Sequence, residues 1–382
     1  MERSPGTSAE DGGRRSRGMP RRTFNKALLL AAGPVVAGTA GGFPARSAAA
    51  SPTYLSTFDQ RRFFAYPHQN VFLDGGRKVV LSQIDARGMS SLWLYDILGN
   101  TSNMLARFIP SIPRDYSYCD IAETQGLLAA SDTQSLWTID LLQDPTPRRL
   151  YTPPLGNSLD PLVSIRYDDA GTILAAYRPI GARFPTTVVR VRVSDGLATP
   201  LFTKNFLVNH LQHSPNDPAW FGFSREAGNV DRIWGYHPTA APEGKLLWDQ
   251  KSPTGGDLRV GHEVWCRHDL SILVVAYRDS PGSPRGLYQV WPDGSSRLVQ
   301  EADNYLHCNV SRDGRHAVVD TMAGGVVLID MAGQVAPRQL AATRIGPHPR
   351  HPHPHFTPDG TQIIYTDTNA SNQVRVAMVP IT

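Results

Sequence analysis

Residues 309–320 read "NVSRDGRHAVVD": an apolar position, an Asp-Gly pair suited to a tight hairpin turn, then a short apolar run. The same unit returns as "HFTPDGTQIIYTD" from His355, "IRYDDAGTILAAY" from Ile165 and "VFLDGGRKVVLSQ" from Val71. Looser copies are "IAETQGLLAAS", "HSPNDPAWFGFS" and "VWCRHDLSILVVAY", which brings the total to seven. Each copy is followed by an alternating strand: "LWLYDI", "LWTIDL", "VVRVRV", "RIWGYH", "LYQVW", "VVLIDM" and "VRVAMV". Their central residues are Trp93, Trp137, Arg190, Trp234, Tyr288, Leu328 and Val376, separated by 44, 53, 44, 54, 40 and 48 residues. A unit of this size built from short strands is a β-propeller blade, and fixed-period self-similarity is the signature of such a ring. A pair of β-sandwiches also uses many short strands, but seven consecutive copies at a near-constant period favour an all-β, seven-bladed propeller. The segment "TYLSTFDQRRFFA" is expected to complete the last blade beside the C-terminal strand.

Upstream of the repeats the composition changes. Residues 1–50 hold an arginine-rich stretch, Arg21-Arg22 followed by Phe24 and Lys26, the apolar run "ALLLAAGPVVAGTA" and the small-residue run "ARSAAA". That layout predicts a twin-arginine-type export signal and polar leader over 1–50, with the propeller over 51–382 and secretion as the destination. The apolar run contains Gly and Pro and falls short of the ~20 residues a spanning helix needs, so no membrane association is expected after cleavage. Eight of the 38 Lys and Arg and three of the 34 Asp and Glu lie in the leader, leaving 30 against 31 and a net charge of −1. The apparent basicity belongs to the leader, and no nucleic-acid partner is indicated. Cys119, Cys266 and Cys308 are odd in number and far apart, so they read as buried small residues.

The first strand of each propeller blade lines the central channel, so residues ahead of each turn are channel candidates. Five of the seven copies place histidine there: His68, His210 or His213, His262, His307, and a cluster at His351. The cluster belongs to "GPHPRHPHPHFTPDG", residues 346–360. On an extended strand His351, His353 and His355 would project together while Pro352 and Pro354 point away. Two of these imidazoles with His307 from the neighbouring blade would make three ligands of a divalent metal, and His348 could add a fourth. Imidazole alone leaves Mn, Fe, Zn, Ni and Cu open. A solvated His/Pro loop is the bland alternative.

These residues carry a family resemblance. "HPHPHFTPDG" is similar to the His-Pro-His-Pro-Ser-Phe-Thr-Pro-Asp signature of oligogalacturonate lyases, and "GHEVW" to their Thr-His-Glu-Phe-Trp segment. "LHCNVSRDG" and "VNHLQHSPNDPAWFGFSREAGNVDRIW" match further blades in order and spacing, so the likeness spans 54–382. The resemblance implies a seven-bladed propeller with manganese in the channel, cleaving oligogalacturonides by β-elimination. It further implies metal ligation by His307, His351 and His353, with His348 where the family has glutamine and His355 where it has serine. By the same resemblance His262 matches the catalytic base and Arg232 an active-site arginine. His68, His210, His213 and Arg350 are candidates for binding a uronic-acid oligosaccharide or polysaccharide. A propeller hydrolase or lyase for another uronate linkage, such as rhamnose–glucuronate, and a non-catalytic glycan- or protein-binding propeller are the alternatives.

Overall fold

A computed structural model describes residues 51–108, 117–226 and 230–382; the export signal expected over 1–50 lies outside them. The described residues form seven antiparallel sheets of four or five strands, a seven-bladed β-propeller. Blades one to six run in order through 62–108, 119–151, 157–204, 208–246, 260–301 and 305–342. Blade seven joins His355–Phe356, Gln362–Thr368 and Val374–Pro380 to Thr53–Tyr54, which pairs through Met378 and Ala377. The expected closure is thus present. Leu55 donates its N–H to Val376, Val376 donates to Ser56 Oγ, and Arg375 lies over the Tyr54 and Phe58 rings.

The seven repeat centres all fall in the third strand of a blade, and the repeat turns link its first and second strands. Middle strands are continuously apolar because they are buried on both faces. In Ile272–Ala276, for example, Ile272, Val274 and Ala276 pack towards blade four, while Leu273 and Val275 pack towards blade six. Every core cluster joins neighbouring blades in this way, including the one that unites blades seven, one and two. The hydrophobic core is therefore a ring of inter-blade seams that leaves the axis free for polar chemistry. All three cysteines are buried and free, as expected.

The inner strands depart from regularity at the places that matter for the channel. Strand register slips between Asn209 and Gln212, between Gly261 and Val264, and between Tyr305 and Cys308. Such a bulge inserts an extra residue and re-aims its side chain. Here the residues inside the bulges include His210, His262 and His307. In blade one the inner strand is split into Arg62–Phe63 and Phe72–Leu73, and the residues between include Tyr66 and His68.

Candidate metal centre and channel site

His307, His351 and His353 bring one ring nitrogen each within 4.8 Å of one another. The Nε2 atoms of His307 and His353 are 3.1 Å apart. Asp320, fully buried on the second strand of blade six, orders this group. It accepts the His307 Nδ1–H at 2.8 Å, the His307 backbone N–H at 2.7 Å and the His353 backbone N–H at 3.3 Å. Because Nδ1 carries the proton, His307 Nε2 keeps its lone pair for a ligand. Burial pushes the Asp320 carboxyl up to about 7, against the pull of these hydrogen bonds. Burial also holds His307 and His353 well below the ordinary histidine value, so both rings are neutral donors. An all-imidazole set with a fixed tautomer fits a divalent first-row metal.

The extended strand expected over 351–355 is not formed. Only His355–Phe356 is strand, and His353 adopts a positive φ of 45°. That turn breaks the alternation, so His355 leaves the cluster: its ring packs edge-on against Phe64 at 4.8 Å. His348 stands beside these three imidazoles, outside the 4.8 Å group, its ring 5.7 Å from His351 and its Nε2 3.5 Å from the Tyr118 hydroxyl. Cys266, His268 and Asp269 form a second loose group in the blade-five turn. Burial pushes the Cys266 thiol up to about 12, so without a bound cation it is protonated at neutral pH.

His262 lies against the centre, its ring centroid 3.9 Å from that of His307. A positive φ of 57° in the bulge turns it inward. Its Nδ1 is 2.6 Å from the Leu306 carbonyl, which can only accept, so Nδ1 bears the proton and Nε2 is the free base. The Tyr277 hydroxyl oxygen is 2.7 Å from the same nitrogen. Burial, then His307 and Arg232, hold His262 well below its ordinary pKa.

Arg232 is buried with its guanidinium committed to carboxylates: Nη1 reaches Glu226 at 2.7 Å and Nε donates to Glu263 at 3.1 Å. His210 completes the network at 3.3 Å from both Arg232 Nη2 and Glu263. Although burial raises it, Arg232 and His210 hold the Glu263 carboxyl far below its usual range. Tyr66 is the hub of the channel. Its ring is 5.0 Å from His210, 5.1 Å from His353, 5.3 Å from His68, 6.0 Å from His262 and 6.4 Å from His307.

The remaining candidates separate. His213 does not accompany His210; its Nδ1 faces Ser164 Oγ at 3.2 Å, and burial lowers its pKa to about 3. His68 bridges Tyr66 and His210 to the turn-side end of the channel. Arg350 lines a separate cavity of about 390 Å³ with Arg61, Asp85 and Pro349. Sequence reading passed over Asp320, Glu263, Glu226, Tyr66 and Tyr277. Glu263 directly follows His262 in "GHEVW", and Asp320 closes the opening repeat, so both were marked by position alone.

No protein-family model matches the chain, and no curated relative is recovered by sequence. Solved structures do match. An oligogalacturonate lyase in complex with manganese is 17% identical, with a TM-score of 0.75 over 88% of this chain and 94% of that one. An oligogalacturonate lyase from Vibrio parahaemolyticus is 16% identical, with a TM-score of 0.72 over 87% and 93%. A chain of a mitotic checkpoint complex is 11% identical, with a TM-score of 0.57 over 92% and 99%. At such identities the likeness establishes the fold, and functions are decided by sites built on folds. The chain shares the seven-bladed propeller of the oligogalacturonate lyase structures.

Proposed function

We propose that this protein is an exported, metal-dependent lyase that cleaves uronic-acid oligosaccharides of the oligogalacturonate type by β-elimination. One observation carries the reading: a neutral imidazole base, His262, stands directly beside a three-imidazole cluster with a buried carboxylate behind it. The similarity to manganese-bound and other oligogalacturonate lyase structures supports it.

In this reading His307, His351 and His353 hold a divalent metal, manganese by analogy with the similar lyase, and His348 stands next to it. When bound, the metal supplies positive charge to the substrate carboxylate, where negative charge develops as the C5 proton leaves. His262 Nε2 takes that proton. The C5–H electron pair becomes the C4=C5 double bond, and the C4–O pair departs on the glycosidic oxygen, which gains a proton from water. The Leu306 carbonyl fixes the His262 tautomer, and the Tyr277 hydroxyl stands beside the same nitrogen. Arg232, already engaged by Glu226 and Glu263, acts as a positioning residue that neutralises two channel carboxylates.

The test is ultraviolet absorbance of an unsaturated uronide. Pectic, ulvan-type and glucuronate-containing oligosaccharides are incubated with the protein and Mn²⁺ or chelator. An absorbing product that disappears with chelator and with His262→Ala supports the proposal; none from any substrate with metal supplied sinks it.

A further inference from the structure

The channel has a second end, where the repeat turns lie, and the proposed chemistry does not use it. Two cavities of about 90 and 70 Å³ occupy this mouth, lined by residues from all seven blades. They share His68, Asn70, Val264, Trp265 and Arg267. Arg267, from blade five, reaches across to blade three, where its guanidinium carbon lies 4.1 Å over the Tyr167 ring. Among the described residues no carboxylate or carbonyl pairs with it.

The surrounding carboxylates are occupied. Glu123 is held by Arg312, and Asp168 is paired with Arg166 at 2.7 Å. Asp120 accepts from the N–H groups of Asn70, Ile121 and Ile165 and from Ser164 Oγ. Burial and Arg312 lower the Arg267 pKa to about 10, which still leaves it charged at neutral pH.

Buried polar groups without partners line the larger cavity beside this cation. Gln69 is 4% exposed and neither end of its amide is bonded. His68 has both ring nitrogens unpaired, and His355 has Nε2 unpaired. A buried polar group left unpaired costs free energy, and a concentration of them calls for an occupant. The unpaired guanidinium selects a carboxylate, whose geometry matches its fork. His355 Nε2 and Gln69 Oε1 select a hydroxyl. At about 90 Å³ the larger cavity has room for several waters, so a ligand of a few heavy atoms fits.

We infer that the turn-side mouth of the channel is a binding site for a small hydroxycarboxylate anion, held by Arg267 with Gln69, His68 and His355. The site is separate from the imidazole cluster and does not depend on a metal.

Isothermal titration of the folded chain with glycolate, and with acetate for comparison, at constant ionic strength against chloride tests it. Wild type is expected to bind glycolate at one site, more tightly than acetate. Arg267→Leu should weaken binding by about tenfold or more, the cost of a lost charged hydrogen bond. His353→Ala or added chelator should leave it unchanged. Arg267→Lys, should the leucine variant misfold by circular dichroism, keeps the charge but loses the fork, and glycolate binding should still weaken. No binding by wild type, equal binding by a folded Arg267→Leu (or by Arg267→Lys where the leucine variant misfolds), or loss in His353→Ala would overturn the inference.

Discussion

Asp320 Oδ2 and His307 Nδ1 lie 2.8 Å apart with both side chains buried. This contact fixes which nitrogen of His307 faces the channel, so a residue outside the imidazole cluster controls its donor atom. Asp320→Asn should weaken metal affinity by about 10–100-fold, the usual effect of removing such a support. A chelator-competition titration measures it. Unchanged affinity in the folded variant would show that packing alone holds the ring.

His262 touches the imidazole cluster but is not one of its three members. His262→Ala is expected to lower uronide cleavage by about 10²–10⁴-fold while metal affinity changes by less than about threefold. Steady-state absorbance and metal titration on one preparation separate the two roles. A parallel collapse of metal binding would make His262 a ligand instead.

Arg232→Met leaves Glu226 and Glu263 in the channel without their counter-charge. Glu263 is only 3% exposed, so the variant should lose about 3–5 kcal/mol in urea unfolding. Adding Glu263→Gln should recover part of that loss. A neutral single variant would mean that the carboxylates find other partners.

His213 and His355 are buried neutral, each lowered to about 3 by loss of hydration. Their unfolded counterparts take up a proton below about pH 6.5. Between about pH 6.5 and 3 the unfolded chain therefore binds more protons, and stability falls as pH falls. Each site contributes up to about 1.4 kcal/mol per pH unit. His355→Ser should flatten the acid limb of the stability curve by about that slope, read from urea midpoints between pH 6 and 4. An unchanged slope would show that His355 is protonated in the folded chain.

Much of the ring was legible because its signals are local. Asp-Gly turns and the third-strand residues Trp93, Trp137 and Trp234 mark the blades one at a time. The site was legible only where histidines share a register. The alternation expected from His351 to His355 fails because His353 takes a positive φ, a backbone choice that no two-residue pattern encodes. Tyr66 escaped because the residues around it interrupt the blade-one inner strand. Glu263 and Arg232 meet between the adjacent blades four and five, a pairing set by how the blades pack side by side rather than by a repeat spacing.

Closure itself has a kinetic consequence. Thr53–Tyr54 can pair with Val374–Pro380 only when segments about three hundred residues apart in sequence meet. Such distant pairing is among the slowest steps available to a chain. Until it forms, the outer edge of Val374–Pro380 is an open template for another chain. A ring that is nearly finished is thus at its most aggregation-prone, and the two-residue strand acts as the clasp that ends that exposure.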